Sequence, residues 1–221
     1  EEISGKHGIE FVLPHLGELD FAIVGEPTGM QMAVAEKGLM VLDCEVTGVA
    51  GHAAREEGDN AIYRALGDIQ WFASHRFERV SELSGPVKMS VTQIQAGSQH
   101  NVIPAKCTFV VDVRVNECYS HEEILAEIRQ HVHCDVVPRS TRLKPSSIPM
   151  EHPLVQAGLS LGLTPFASPT MSDQALLDIP SLKIGPGDSA RSHSADEFIF
   201  THEIEEGISV YIQLLEKLLL K

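Results

Sequence analysis

The chain has 221 residues, with 31 Asp and Glu against 17 Lys and Arg, which gives a formal net charge of −14. Hydrophobic residues make up 43% of the sequence, enough for one or two domains with their own cores. A charge this negative repels phosphate backbones and anionic headgroups, and no basic stripe interleaved with aromatics occurs. Composition therefore argues against nucleic-acid and membrane-surface roles.

The apolar runs and the cysteines indicate the compartment. The apolar runs, such as Leu218–Leu220, are far shorter than the roughly 20 residues that cross a bilayer. Four widely spaced cysteines form no CxxC pair, which favours reduced thiols in a cytoplasm. The chain opens Glu1-Glu2-Ile3 without a methionine or a signal peptide, so we expect it to be part of something longer.

The first predicted element is a strand at Phe21–Val24, a short apolar run that ends in the turn residues Gly25–Gly29. Such a run is typical of a strand buried on both faces of an α/β sheet. From about Lys37 the pattern changes to alternation, which predicts a sheet with one covered face. The residues of its covered face are Met40, Leu42, Cys44 and Val46.

Two helices and three strands follow this alternating strand. Asp59 or Asn60 caps the first helix, whose apolar stripe comprises Ile62, Ala65, Leu66, Ile69 and Phe72. Strands are predicted at Val87–Ile94, Cys107–Val115 and Asp135–Pro138. Before the last of them, Ser120 and Glu123 form a capping box for a helix whose apolar residues are Ile124, Leu125, Ile128 and Val132.

The order β-α-β-β-α-β predicts a ferredoxin-like module in an α/β protein. We expect this module at residues 36–145, inserted between two pieces of an α/β domain at 1–35 and 146–221. The second piece ends in an amphipathic helix, whose predicted apolar stripe comprises Ile204, Ile208, Tyr211, Ile212, Leu215 and Leu219.

Acidic residues and one histidine are candidates for metal chemistry. Glu1 and Glu2 are adjacent carboxylates, which taken alone read as a solvated acidic terminus. Glu26 follows the first buried strand, where α/β proteins place ligands, although a turn residue is an equal alternative. His193 lies in a loop after the apolar piece Leu182–Ile184 and is free to coordinate a metal, although an isolated loop histidine is usually just exposed. Two carboxylates and an imidazole suit zinc or a similar divalent ion.

The ferredoxin-like module carries three polar candidates. His52 lies between small residues at the end of the first module strand, where a histidine without a role is an even alternative. Asn101 lies in a turn, a position that asparagine often occupies. Arg114 points away from the covered face, where it can hold a substrate carboxylate or pair with Asp112 or Glu45.

Together these residues resemble the acetylornithine deacetylase/succinyl-diaminopimelate desuccinylase family of dinuclear zinc amidohydrolases. The resemblance spans residues 1 to about 215 and rests on five signatures in the family's order. They are Glu1-Glu2 with Gly5; Val24-Gly25-Glu26-Pro27-Thr28; Gly51-His52-Ala53-Ala54 with Gly58 and Asn60-Ala61-Ile62; Asn101-Val102-Ile103-Pro104 with Asp112-Val113-Arg114; and Gly185-Pro186-Gly187 with His193 and Glu197. A Ser172-Asp173 pair also lies where the family has one.

The resemblance implies a zinc-peptidase-like catalytic domain with an inserted lid, and a role for each candidate. Two zinc ions, or cobalt, would act in the complete site, and the family is commonly a homodimer through the lid. The implied roles are general base for Glu1; zinc ligand for Glu2, Glu26 and His193; oxyanion stabilisation, in the partner's site, for His52; and substrate binding for Asn101, Arg114 and Asp173.

The implied activity is removal of an acyl group from an N-acyl amino acid, as by an acetylornithine deacetylase of arginine biosynthesis in the cytoplasm. A desuccinylase acting on succinyl-diaminopimelate, succinyl-ornithine or succinyl-citrulline, or an aminoacyl peptidase, is the alternative, and a metal-free binding module is the third. The family's His-x-Asp zinc segment lies upstream of the Glu pair, and His7 and His15 do not replace it. We therefore expect the 221-residue piece to be inactive alone.

Overall fold

A computed structural model describes residues 7–55 and 57–219. Its strands, in chain order, are β1 (Ala22–Val24), β2 (Met32–Glu36), β3 (Gly38–Thr47), β4 (Gly51–His52), β5 (Lys88–Ala96), β6 (Val102–Ile103), β7 (Lys106–Val115), β8 (Asp135–Pro138), β9 (Ser146–Ser147), β10 (Pro165–Ser168) and β11 (Ser181–Lys183). Its α-helices are α1 (Ile9–Val12), α2 (Ala61–Ser74), α3 (His121–His131), α4 (Pro153–Ser160) and α5 (Thr201–Leu219). Short 3₁₀ helices occur at Leu13–His15, Asp173–Leu176 and Ser189–Arg191.

The chain divides into two compact units. Unit 1 comprises the residues up to 37, residues 82–84 and the residues from 145 onward. Unit 2 comprises residues 38–81 and 85–144, so in sequence it is inserted into unit 1. The catalytic and lid roles expected for these two parts of the chain stay predictions.

Unit 2 has the predicted β-α-β-β-α-β order, in the sequence β3, α2, β5, β7, α3, β8. Its four-stranded sheet has the order β5-β7-β3-β8, and every neighbouring pair is antiparallel. A two-stranded hairpin of β4 and β6 is added outside this sheet. The predicted α/β fold with a ferredoxin-like insertion is thereby confirmed for this part of the chain.

The core of unit 2 lies between one face of its sheet and the two helices. Alternation decides which face is covered, because every second residue of β3 and β7 is buried. The capping box of α3 is present as predicted: Ser120 Oγ accepts the Glu123 N–H at 3.2 Å, and Glu123 accepts the Ser120 N–H at 2.8 Å.

One expectation for α2 is wrong. Leu66, predicted on the apolar stripe, is 53% exposed, whereas Asp68 is buried. The Asp68 carboxylate accepts the backbone N–H groups of His133 and Cys134 at 3.0 and 2.9 Å. These hydrogen bonds offset the cost of burying a carboxylate and fix the start of β8.

Unit 1 contains a mixed sheet of order β1-β11-β2-β10, with β9 also paired to β2. β1 is parallel to β11 and β10 is parallel to β2, whereas β11 and β2 are antiparallel. Every residue of β2 is buried. β1 is an edge strand whose three residues are half-buried, which corrects the expectation of a strand buried on both faces.

The predicted apolar stripe of α5 is wrong for five of its six members, whereas Tyr211 is half-buried against the core of unit 1. The five are Ile204, Ile208, Ile212, Leu215 and Leu219, which are 37–68% exposed. The buried residues of α5 are Gly207 and Leu214. Gly207 brings the helix close to Pro186, because a Cβ there would lie 3.1 Å from the proline Cβ. No helix in the two described stretches is long and apolar enough to cross a membrane.

Candidate active site

The first part of the candidate site lies where β1 and β11 end. Because these strands are parallel, their carboxyl ends meet at one edge of the sheet. The segments that follow them run side by side, since Met30 N–H donates to Gly185 O at 2.9 Å and Gly29 N–H donates to Gly187 O at 2.7 Å. Position 185 must be glycine, because a Cβ there would lie 2.6 Å from the Glu26 carbonyl oxygen. Half-buried Glu26 thus lies beside the start of the loop that carries His193.

An arginine and two aromatic rings hold the far end of that loop. Arg191 Nη1 contacts Glu203 Oε2 at 2.6 Å, and its guanidinium lies over the rings of Phe198 and Phe200 at 4.9 and 5.0 Å. Glu203 also accepts the Phe200 N–H at 2.9 Å, at the start of α5. The hydrogen bond from Arg191 lowers the pKa of the Glu203 carboxyl, so this pair is charged at neutral pH.

His193 lies exposed on this loop in the left-handed backbone region, with φ of +58°. Its N–H donates to Glu197 Oε2 at 3.1 Å, which steadies a conformation that a non-glycine residue rarely adopts. A cavity of about 330 Å³ lies beside it, lined by Pro27, Gly187, Arg191 and Phe198 among others. The structure therefore brings the segments of Glu26 and His193 to one edge of one unit.

The donor types at this edge, a carboxylate and an imidazole, suit a divalent metal. Within residues 7–55 and 57–219, however, no three His, Cys, Asp or Glu side chains form a group that could hold one. Glu1 and Glu2, the predicted base and ligand, lie outside the described residues. The described part of the chain therefore supplies at most part of a metal site.

Asp173 is placed on a different segment. It is exposed and begins the 3₁₀ helix Asp173–Leu176, which follows β10. β10 runs opposite to β1 and β11, so the strand itself ends at the other edge of the sheet. Sequence position alone gives no sign of this separation.

In unit 2 the structure brings His52 and Asn101 together. β4 and β6 pair His52 with Val102, and the Ala53 N–H donates to Asn101 O at 2.9 Å. The chain doubles back tightly here, because a Cβ on Gly51 would overlap the Glu57 carbonyl. Both side chains are exposed.

The His52 ring has a defined tautomer. Its Nδ1 accepts the Ala54 N–H at 3.1 Å. A neutral imidazole that accepts at Nδ1 carries its proton on Nε2, so the exposed ring presents an N–H donor there. A hydrogen-bond donor is what stabilisation of an oxyanion requires.

Arg114 lies on the open face of β7, as predicted, and is paired. Its Nε and Nη2 donate to the two carboxylate oxygens of Asp112 at 2.8 and 3.0 Å. The side chains are 37% and 29% exposed. This contact is the alternative that the sequence left open, and it also fixes the orientation of the guanidinium.

Sequence reasoning missed a buried ion pair in unit 1. Lys183 of β11 and Glu36 of β2 are in contact, with Nζ 2.5 Å from Oε1, and are 2% and 1% exposed. The available signal was one charge in each of two short apolar strands, Leu182-Lys183-Ile184 and Ala33-Val34-Ala35-Glu36. Their opposite signs were the only indication that they pair.

Comparison with protein families matches residues 34–135 to M20_dimer, the peptidase dimerisation domain. The match covers nearly all of unit 2, from the middle of β2 to the start of β8. Unit 2 is therefore similar to the dimerisation domain of M20 peptidases.

Two curated relatives extend the similarity to most of the chain. A Pyrobaculum aerophilum protein assigned as a LysW-lysine/LysW-ornithine hydrolase is 27% identical over 194 residues, covering 84% of this chain and 55% of its own length. A Mycobacterium tuberculosis protein assigned as a succinyl-diaminopimelate desuccinylase is 28% identical over 208 residues, covering 88% and 57%. The chain thus spans little more than half the length of these relatives.

Solved structures share the fold. The aminopeptidase PepT of Bacillus cereus superposes with a TM-score of 0.78 at 18% identity, covering 98% of this chain and 62% of that one. The Bacillus subtilis YXEP protein, described as a dinuclear metal binding peptidase of the M20 family, gives a TM-score of 0.68 at 14% identity, covering 93% and 59%. At these identities the likeness shows the fold alone.

Proposed function

We propose that the chain is part of a metal-dependent M20 amidohydrolase that removes an acyl group from an N-acyl amino acid. The observation that carries the proposal is a peptidase dimerisation domain inserted into a unit whose parallel strands bring Glu26 and the His193 loop to one edge. Glu26 and His193 are the proposed metal ligands of the described residues. Glu1 is the proposed general base, and Glu2 is a further proposed metal ligand.

The metal would be zinc, as a pair of ions. When bound, two divalent ions supply a water of lowered pKa and a polarised carbonyl. The Bacillus subtilis neighbour is described as a dinuclear metal binding peptidase, and the donor types of Glu26 and His193 agree with zinc.

The described residues contribute orientation and charge stabilisation. The Nε2–H of His52 donates to the carbonyl oxygen as it becomes an oxyanion. Arg114 and Asn101 hold the carboxylate of the substrate. This carboxylate competes with that of Asp112 for the guanidinium of Arg114. The sequence signature also proposes Asp173 as a substrate contact, although the strand before it, β10, ends at the opposite edge of the sheet from Glu26 and the His193 loop.

Two acyl groups fit the proposal. The sequence signatures favour an acetylornithine deacetylase, whereas one of the two relatives is assigned as a desuccinylase. The two substrates differ by a few atoms in the acyl pocket, so both belong in one assay. An aminoacyl peptidase is the related candidate, favoured by the fold likeness to PepT.

The test is an assay of the product of the complete reading frame, after its intact mass is measured against 24.2 kDa for this chain. With zinc added, it is expected to hydrolyse N-acetyl- or N-succinyl-ornithine or -citrulline. The variant His52→Ala should lower kcat by about 10²–10³-fold, the usual loss of one oxyanion donor. His133→Ala is the matched control, because that side chain is 91% exposed and outside the proposed site.

Two results would contradict the proposal. One is absence of hydrolysis of every N-acyl amino acid and peptide offered with zinc or cobalt. The other is a metal analysis of the same product that finds no transition metal, which would favour a binding module.

We also propose that unit 2 joins two copies of the protein through β5. β5 is an edge strand whose residues 92–96 are exposed, and α2 beside it exposes Tyr63 and Leu66. The other edge, β8, is four residues long and contains Pro138, which protects it from pairing. A sheet that continues from β5 into the β5 of a second copy agrees with the dimerisation-domain match.

A further inference from the structure

Unit 1 contains a buried ion pair that the proposed reaction does not use. The ammonium of Lys183 and the carboxylate of Glu36 are 2.5 Å apart, and the two side chains are almost wholly inaccessible. They lie on neighbouring strands, since Lys183 is paired with Ala33 in the register of β11 and β2.

The partners of this pair come from one short segment. Lys183 Nζ donates to the carbonyl and the hydroxyl of Thr170 at 2.9 and 3.2 Å, which with Glu36 accounts for its three protons. Glu36 accepts the Ser172 N–H at 3.1 Å and the Ser172 Oγ–H at 2.8 Å. Both charges are therefore fully hydrogen-bonded, and residues 170–172 are held from both sides.

Stability alone does not account for such a pair. Removing two charges from water is costly in free energy, and apolar side chains of similar volume often give equal or greater stability. What apolar side chains cannot supply is the set of directed bonds to Thr170 and Ser172. The ion pair thus fixes a conformation rather than adding net free energy.

The conformation in question is that of the segment before Asp173. The Ser172 hydroxyl, held by Glu36, also accepts the Gln174 N–H at 3.3 Å and so caps the 3₁₀ helix Asp173–Leu176. The carbonyl of Ser172 accepts the Ala175 N–H at 3.1 Å. The first turn of that helix is therefore tied to the buried Glu36 carboxylate through Ser172, while the buried side chain of Gln174, which donates to Ser181 O at 2.7 Å, holds the residue after Asp173.

We infer that Glu36 and Lys183 are positioning residues that set the orientation of Asp173. The pair holds Thr170 and Ser172, Ser172 caps the helix, and Asp173 is presented from its first position. The role of Asp173 toward the substrate rests on the proposed function, whereas the positioning of the segment does not.

The test compares local order with global stability in the 221-residue chain. In the double variant Glu36→Leu/Lys183→Met, the buried charges are replaced by apolar groups of similar size. We expect its thermal midpoint to return close to that of the wild type, whereas Lys183→Met alone leaves an unpaired buried carboxylate and falls well below it. Amide hydrogen exchange at Ser172, Gln174 and Ala175 should nevertheless be at least tenfold faster in the double variant.

Leu182→Ala is the matched control, because it destabilises the same strand at a fully buried apolar residue outside the network. It should lower the midpoint without a selective increase of exchange at residues 172–175. If the double variant does not fold, Ser172→Ala is measured instead, and it should speed exchange at Gln174 and Ala175 by the same selective pattern.

Three outcomes would overturn the inference. These are unchanged exchange at Ser172 in the double variant, acceleration spread evenly over unit 1, and unchanged exchange at Gln174 in the serine variant. In the assay of the complete protein, the double variant should raise KM at least fivefold with kcat within about twofold. Selective exchange without this KM effect would refute the substrate role of Asp173 and leave the positioning role standing.

Discussion

A buried histidine illustrates how one residue of unit 2 couples stability to pH. His121, at the start of α3, is 3% exposed, and its Nδ1 donates to the Thr141 carbonyl at 3.0 Å. Its Nε2 has no hydrogen-bond partner in the described residues. Burial disfavours the charged ring and lowers the pKa of His121 below its ordinary value, and this effect exceeds the opposing ones of Thr141 and Glu122.

The lowered pKa of His121 predicts a loss of stability on acidification. The unfolded chain binds a proton near pH 6.5 while the folded chain resists it, so the contribution of His121 is complete above that pH and is lost below it. The variant His121→Asn keeps a donor for Thr141 and does not titrate. Urea unfolding between neutral pH and pH about 5 should show a shallower fall for the variant than for the wild type.

His100→Asn is the control for this comparison, since His100 is exposed in the same unit. It should retain the slope of the wild type. Equal slopes for His121→Asn and the wild type would show that burial does not suppress protonation of His121.

At the scale of elements, two helical glycines predict opposite effects of the same substitution. Gly67 lies inside α2, where an added Cβ would have no heavy atom within 4 Å, whereas a Cβ on Gly158 of α4 would overlap the sulfur of Met32. Met32 is fully buried in β2 and has little room to move. Gly67→Ala should therefore stabilise by about 0.5–1 kcal/mol, because alanine is the better helix former.

Gly158→Ala should destabilise by about 1–3 kcal/mol despite the same gain in helix propensity, because overpacking a filled core outweighs it. Denaturant unfolding of both variants measures the change in the free energy of unfolding, which should be positive for Gly67→Ala and negative for Gly158→Ala. A stabilised Gly158→Ala variant would mean that α4 and β2 can separate without cost.

The same elements show how far local sequence predicts the fold. Alternation identifies β3 and β7 because each has one covered face, and the capping box identifies α3 because Ser120 and Glu123 are three residues apart. Alternation does not identify β2, because all its positions are buried and its hydrophobic residues therefore show no period of two. Most of the stripe predicted for α5 is exposed because that helix is apolar on more than one side, and the buried side is set by the packing of Gly207 against Pro186 and Met30.

The candidate site likewise contains some contacts that the sequence predicts and others that it does not. Glu26 and the loop of His193 follow β1 and β11. Because these two strands are parallel, their carboxyl ends, and the segments that follow them, lie at the same end of the sheet. The contact of Arg114 with Asp112 is one of the alternatives that the sequence leaves open, since residues two apart on a strand share a face. The pairing of Glu36 with Lys183 joins residues far apart in sequence, and no local pattern reports such a contact.

For the whole molecule, charge and sheet edge together determine how two copies can associate. Each chain carries a formal charge of −14, so two copies repel one another at long range. Association must therefore rest on backbone pairing and apolar contacts, for which β5 is the open edge and Tyr63 and Leu66 are exposed neighbours. Higher ionic strength should favour the dimer, because it screens the repulsion.

The dimer prediction is tested by placing a charge on each edge of the unit 2 sheet in turn. Ile94 on β5 and Val137 on β8 are 53% and 60% exposed, so lysine disturbs the core at neither position. Light scattering should show that Ile94→Lys shifts the wild-type dimer to monomer, since an edge lysine opposes strand pairing, whereas Val137→Lys stays dimeric. Dissociation by Val137→Lys alone would move the interface to β8, and a monomeric wild type at high ionic strength would contradict self-association altogether.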